Sequence, residues 1–327
     1  GHAYKAFDGQ VGYFNPQGGW AEANNATVSM LNEARRLGAE VVGNARVTSL
    51  IYAEPKYNQT KPKVIGVKTA DGRAFYADRV VLTAGCWTSS LLNQLDLSLP
   101  RPVLKATAHC VLTLKLDPEV TKKFKGMPVT FNMYRYVAAY VKTNRSGFYT
   151  FEPNADGILK VPSTVYVSLL TLQIGSLDFD PAKFPGTDFA NVATEKQLNQ
   201  MIAELRTLFP ILQLEGPNKN ASILYTRMCW YSDSVDENFL IDFYPGVDGL
   251  LVASGDSGHG FKVCNELRQF LPVLGRLISA RLLHLESGTD ELVPDFGLSS
   301  HQRRVFSFAH HLEMNDPANP NRKSTDS

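Results

Sequence analysis

Apolar positions along the chain change their period several times, and each change marks an element. Val28, Leu31, Ala34 and Leu37 recur at helical spacing and Gly38 supplies a stop, which predicts an amphipathic helix over Trp20–Ala39. Short β-like runs follow at Glu40–Val42, Ala45–Ile51, Val64–Thr69 and Ala74–Leu82. Asp71-Gly72 between the last two is a hairpin signal. The pattern breaks at Ala84-Gly85 and becomes helical over Thr88–Gln94. Helix, strand, hairpin, strand and glycine turn, in that order, fit part of a nucleotide-binding α/β sheet.

Further on, strands follow one another without helices between them. Leu104–Leu116 and Phe131–Val141 alternate, and Phe148–Lys160 reads as a hairpin turning over Pro153–Gly157, so an antiparallel second layer is expected. Ala193–Phe209 is helical, with Leu198, Met201, Ile202, Leu205 and Leu208 on one face. The chain returns to strands at Ile223–Tyr231, Phe239–Tyr244 and Gly249–Ser254, passes a glycine-rich loop, and ends its regular pattern in a helix near Leu271–Leu285. Residues 291–327 read as a polar tail without ordered structure.

A length of 327 residues leaves room for about two domains. Lys+Arg 33 against Asp+Glu 32 gives a net charge of +1, so nothing in the charge points to nucleic acid or an anionic membrane. Cys86, Cys110, Cys229 and Cys264 show no paired spacing of a zinc or redox site and are too few for a disulfide scaffold. With no signal peptide at the start and Ser-Thr-Asp-Ser at the end, an intracellular location, cytoplasmic or peroxisomal, is expected. No metal site is expected.

The densest chemistry lies between Thr226 and Lys262. Gly255, Gly258 and Gly260 are ordered GxxGxG, which is the wrong spacing for a phosphate loop. Backbone N–H groups in such a turn can approach another electron-rich ligand, such as the carbonyl edge of a heterocycle. The bland reading is a plain tight turn. Cys229 lies in a strand-like run that puts Arg227, Cys229 and Tyr231 on one face, and a guanidinium there favours the reactive thiolate. A buried structural cysteine is the alternative.

These segments resemble the flavin-dependent amine oxidases of the monomeric sarcosine oxidase type. The resemblance runs strongest to the fungal fructosyl amino acid oxidases (amadoriases), with L-saccharopine and L-pipecolate oxidases nearby. Gly12–Trp20, Val80–Trp87, Phe148–Gly157, the Gly255–Lys262 loop and Phe270–Gly275 carry it. It implies an α/β fold with an incomplete Rossmann-like FAD-binding domain and an α+β substrate domain holding an antiparallel sheet. Residues 1–100 and 226–290 belong to the first, 101–225 to the second. It implies FAD joined through a thioether to Cys229, with cofactor contacts from Val47, Ala84, Gly85, Gly255, Asp256, Ser257, Gly258, His259, Gly260 and Phe261. Lys262 falls where a cation binds the substrate carboxylate, and Lys160 where a lysine promotes reaction with oxygen. The implied partners are a small amino acid derivative and oxygen, the implied products an imine and hydrogen peroxide.

Three departures from that pattern shape the expectation. No GxGxxG occurs, so the first βαβ of the nucleotide-binding domain is expected to be missing. Val-Pro-Ser-Thr follows Lys160 where an acidic or histidine residue is usual, and 263–269 separates Phe261-Lys262 from Phe270. Both 161–173 and 263–269 read as in-frame insertions. The alternatives are a truncated, catalytically inactive homologue and a non-redox binding protein unable to hold FAD.

Overall fold

The structure, a computed structural model, describes residues 14–16, 19–97, 99–131, 149–166, 195–260 and 305–319. The chain divides into two compact units. One holds Ala108–Thr171 and Ala182–Trp230 with Gly1–Trp20; the other holds Ala21–Thr107 and Tyr231–Ser327 with Leu172–Pro181. The expected helix after Leu271 and the segment 263–269 lie outside the described residues.

The second of these units opens with α1 (Ala23–Arg36) and then β1 (Val47–Tyr52), β2 (Val64–Thr69) and β3 (Ala74–Tyr76), an antiparallel sheet in the order β1-β2-β3. Its hairpin is closed as the Asp71-Gly72 signal predicts. Gly72 has φ +86°, and the Asp71 carboxylate accepts from Thr69 Oγ1 at 2.5 Å and from Arg73 Nε at 2.8 Å. β4 (Val80–Leu82) leaves this sheet, so the run expected as one strand over Ala74–Leu82 is two. Asp78-Arg79 interrupts the apolar run there. Glu40–Val42 forms no ladder.

β4 instead enters a sheet with β10 (Leu240–Phe243) and β11 (Leu250–Ser254), in the order β10-β11-β4. β11 runs parallel to β4, with Leu250, Leu251 and Val252 opposite Val80, Val81 and Leu82. Val64 N–H donates to Asp248 O at 2.8 Å, which joins β2 to the turn before β11. Gly249 is required there, because a Cβ would stand 2.6 Å from Val64 O. Leu82, Leu92, Leu104, Leu240, Leu250 and Val252 form this unit's core.

The other unit is a sheet with one helical cover. β5 (Leu104–Leu116), which starts in the unit just described, is followed by α3 (Pro118–Phe124), β6 (Thr130–Phe131), β7 (Tyr149–Thr150), β8 (Ile158–Tyr166), α4 (Glu195–Leu208) and β9 (Ala221–Ser234). The earlier α2 (Thr88–Gln94) matches the expected helix at both ends. The sheet order is β8-β5-β9, and β5 pairs antiparallel with β8, Leu112 opposite Val161 and Leu114 opposite Leu159. Those four side chains and Leu116 pack with Met201, Leu205 and Leu208 of α4. Each buried leucine of this kind contributes about 1.5–3 kcal/mol. The turn expected over Pro153–Gly157 is present, Asn154 N–H donating to Ile158 O at 3.1 Å, but β7 pairs with β6 and forms no ladder with β8 among the described residues. Residues 161–166 continue β8, and Val161 is part of the core.

The stretch 291–327 differs from expectation in its described part. A short helix α5 (Phe308–Met314) is capped by Ser307, whose Oγ accepts from His310 N–H at 3.2 Å. Phe308 is buried in the core of its unit and His311 is fully buried. The anchors are few and set among polar residues, which hides them from a compositional reading. Among the described residues, no helix is long and apolar enough to cross a membrane.

Candidate functional site

Two glycine turns leave the carboxyl ends of neighbouring parallel strands, the place where open α/β sheets bind ligands. After β4 the chain turns at Ala84-Gly85, Gly85 having φ +54°, and makes a single 3-10 turn into α2. After β11 it enters Gly255–Gly260, with φ +74° at Gly255, +45° at Ser257 and +73° at Gly258. Hydroxyls connect the two. Thr88 Oγ1 donates to Gly85 O at 2.7 Å and lies 3.0 Å from Ser254 Oγ, which lies 3.0 Å from Ser232 Oγ and 3.2 Å from Gly85 O. The turn expected at 84–85 and the loop expected at 255–260 are thus brought together by Thr88, Ser254 and Ser232. The strand pattern carried no sign of these hydroxyls.

The glycines differ in purpose. A Cβ on Gly258 would stand 2.6 Å from the Tyr231 ring, and one on Gly260 2.7 Å from Asp256 Cβ, so internal packing excludes side chains there. A Cβ on Gly85 would meet nothing within 4 Å among the described residues. Among the described residues, nothing prevents a close approach to the backbone at Gly85. Ser257 is held at its positive φ by its N–H donating to Ser232 O at 3.0 Å and its Oγ accepting from Ser234 N–H at 3.1 Å. His259 is a loop-shaping residue: its Nδ1 lies 3.1 Å from Ser257 O, and its ring lies 5.2 Å from the Phe239 ring.

Two carboxylates border this loop. Burial pushes Asp256 above the ordinary carboxylate range, against the opposing effect of backbone N–H donors. Burial likewise raises Asp233, although Thr107 Oγ1 donates to it at 2.5 Å, and the charge of Asp256 raises it further. Asp233 was missed in the sequence because a polar residue in a strand normally reads as solvent-facing. Val47 opens β1 opposite Thr69, at a register irregularity between Val47 and Ser49.

Lys160 and Cys229 belong to the other unit. Thr113 of β5 pairs with Lys160 of β8, so both point away from the leucine core formed by Leu112, Leu114 and Leu159. Trp230 packs on that core, which turns the neighbouring Cys229 to the same far face as Lys160 and Thr113. Cys229 is half-buried and not in a disulfide, Lys160 is exposed, and Arg227 is exposed on the strand that carries Cys229. Thr113 is 1% exposed and its Oγ1 has no hydrogen-bond partner among the described residues. Phe261 and Lys262 lie outside the described residues. No group of three or more metal-ligating side chains occurs among the described residues.

Comparison with known proteins defines the class. A match to the family described as FAD dependent oxidoreductase covers residues 3–267, and the chain belongs to that family. It is similar to L-saccharopine oxidase of Schizosaccharomyces pombe, 29% identical over 279 residues, covering 82% of this chain and 56% of that protein. It is similar to monomeric sarcosine oxidase of Bacillus sp. (strain B-0618), 23% identical, covering 80% of this chain and 57% of that one. Among solved structures it resembles fructosyl amine:oxygen oxidoreductase (Amadoriase I) of Aspergillus fumigatus, with TM-score 0.57 and 26% identity, covering 88% of this chain and 55% of that chain. The chain spans about half the length of these relatives.

Proposed function

We propose that this chain carries the flavin-edge and substrate-side parts of an oxidase that uses FAD to oxidise the C–N bond of a secondary-amine amino acid. The observation that carries the reading is the pair of turns, at Gly85 and at Gly255–Gly260, at the ends of adjacent parallel strands, with nothing among the described residues within 4 Å of a Cβ at Gly85. Family membership and relatives named as saccharopine, sarcosine and fructosyl amine oxidases support it.

The residues present fit FAD. The Ala84-Gly85 backbone would pass close to the dinucleotide, and Val47 would hold the adenine through its backbone. The Gly255–Gly260 amides would hold the pyrimidine edge, where their dipoles would favour negative charge. Cys229 would be the residue that holds the ring through a thioether, its sulfur entering as thiolate in place of a methyl hydrogen lost as a proton, with the two electrons released passing to the flavin and on to oxygen. When bound, FAD supplies the acceptor for the two electrons of the C–N bond. Lys262 holds the substrate carboxylate. A substrate amine that enters neutral needs no protein base. The imine would hydrolyse in water, and Lys160 would be the residue that promotes return of the two electrons to oxygen as hydrogen peroxide. The substrate is a sarcosine, pipecolate, saccharopine or fructosyl amino acid type of secondary amine.

The test is peroxide release by the chain supplied with FAD, across those four amine classes at matched concentration. Peroxide with one class, abolished by Lys262→Met, supports the reading; no peroxide with any, from a chain that has taken up FAD, contradicts it. A second reading is a non-catalytic chain that does not hold FAD. Helix α1 favours it: none of its residues is buried, and Val28 and Met30 are 47% and 45% exposed.

A further inference from the structure

The strongest feature outside the two turns is a cluster that ties the C-terminal helix α5 to the turn between β9 and β10. Asp236 in that turn is nearly buried, as is His310 of α5, and His310 Nε2 lies 2.6 Å from Asp236 Oδ2. Asp236 also accepts from Asn238 N–H at 3.1 Å and from Asn238 Nδ2 at 2.7 Å. His311 Nε2 lies 3.2 Å from Phe239 O; a carbonyl can only accept, so Nε2 carries the proton. His311 Nδ1, an acceptor in that tautomer, lies 3.5 Å from Asp236 Oδ1 with no hydrogen bond among the described residues, so His311 is held through Phe239 O. Ile241 N–H donates to Phe306 O at 2.9 Å, and Phe308 N–H to Asp242 Oδ2 at 3.1 Å.

This turn also touches the Gly255–Gly260 loop. Ser234 N–H donates to Ser257 Oγ, and Ser234 Oγ donates to Asn238 O at 2.6 Å. The Phe239 ring lies between two aromatic neighbours, His259 of the loop at 5.2 Å and Phe306 beside α5 at 5.9 Å. A continuous series of contacts therefore runs from His310 and His311, through Asp236 and Phe239, to Ser257 and His259. Holding Ser257 at φ +45° and the loop amides in one arrangement needs an external frame, because the loop's own glycines permit many.

We propose that Asp236, His310 and His311 are positioning residues: helix α5 clamps the Ser234–Phe239 turn, and the turn sets the backbone of the Gly255–Gly260 loop. The three are placed to order the amides before a ligand arrives, so that binding does not have to order them. Burial raises Asp236, but the donors Asn238 and His310 outweigh it and leave the group below its ordinary range, an anionic anchor for the helix. That the ordered amides face FAD rests on the function proposed above; the clamp itself does not.

The test separates the two. Amide hydrogen exchange of the full chain is followed in peptides covering 254–260, with β5 and β8 peptides as internal controls, for wild type, His310→Ala, His310→Gln and Phe306→Leu. The Ser257 and His259 amides, hydrogen-bonded to Ser232 O and Asp256 O, are expected to exchange about tenfold faster in His310→Ala with the controls unchanged. Glutamine, which keeps a donor near the Nε2 position, should restore most of that protection. If His310→Ala unfolds the chain, so that the controls exchange too, Phe306→Leu decides. Faster loop exchange there supports the clamp; loop exchange at the wild-type rate in a folded His310→Ala, or in Phe306→Leu where His310→Ala unfolds, overturns it. FAD is then titrated into each variant. Weaker uptake in step with faster loop exchange joins the clamp to the cofactor, whereas a wild type that takes up no FAD removes the flavin reading and leaves the clamp judged by exchange alone.

Discussion

The turns after β4 and β11 and the far face of the β8-β5-β9 sheet are built by different means. The first is made of backbone: glycines at positive φ, a serine held there by its neighbours, and hydroxyls that bind carbonyls. The second is made of side chains that simple strand alternation turns away from a leucine core. A backbone site is sensitive to any added Cβ and indifferent to most other changes. A side-chain face is the reverse: each residue can be exchanged without moving the strand.

The sharpest way to break this contrast is within the turns. Gly258→Ala puts a Cβ into the Tyr231 ring at a positive φ and is expected to cost about 2–4 kcal/mol in urea unfolding. Gly85→Ala meets nothing within 4 Å among the described residues, so it should cost only the strain of its φ, about 1 kcal/mol, while weakening FAD uptake. Equal stability losses at both positions would remove the distinction between a packed and an open glycine.

A smaller effect comes from pH. Burial holds His311 below its ordinary value of 6.5, against the opposing charge of Asp236, so the unfolded chain takes up a proton first as pH falls. Stability is then present above that ordinary value and is lost as pH falls from it towards the folded value. The urea midpoint should drop between pH 7 and pH 5 in wild type and drop less in His311→Gln. A His311→Gln variant that follows wild type through this window would place the loss elsewhere.

The smallest change is expected on the sheet face. Thr113→Val replaces a buried hydroxyl that lacks a partner among the described residues, so stability should stay level or rise by up to about 1 kcal/mol. A loss above that size would mean that the hydroxyl holds a bound water or ligand.

Much of this was legible before the structure. β2, α2 and β5 have the expected ends, because their periodicity and their stops agree: Asp71-Gly72 after β2, Ala84-Gly85 before α2. Alternation put Cys229 on a strand, where it lies. What alternation could not show is where a strand finds its partner. Ala74–Leu82 reads as one run, yet Tyr76 and Val80 lie in different sheets. The clamp on Asp236 was hidden for a similar reason, since His310 is 74 residues away and sits in a segment whose composition is polar. Thr88, Ser232 and Ser254 act through hydrogen bonds between elements, which no local pattern records.

The central claim is that this chain seats FAD at the two turns and fixes it through Cys229. The most direct measurement is the visible absorption of the purified chain supplied with FAD, before and after acid precipitation, in wild type and Cys229→Ser. Flavin absorbance that stays with the wild-type precipitate and leaves the Cys229→Ser precipitate is the expected result. A wild-type chain that stays colourless after FAD is added would contradict the account.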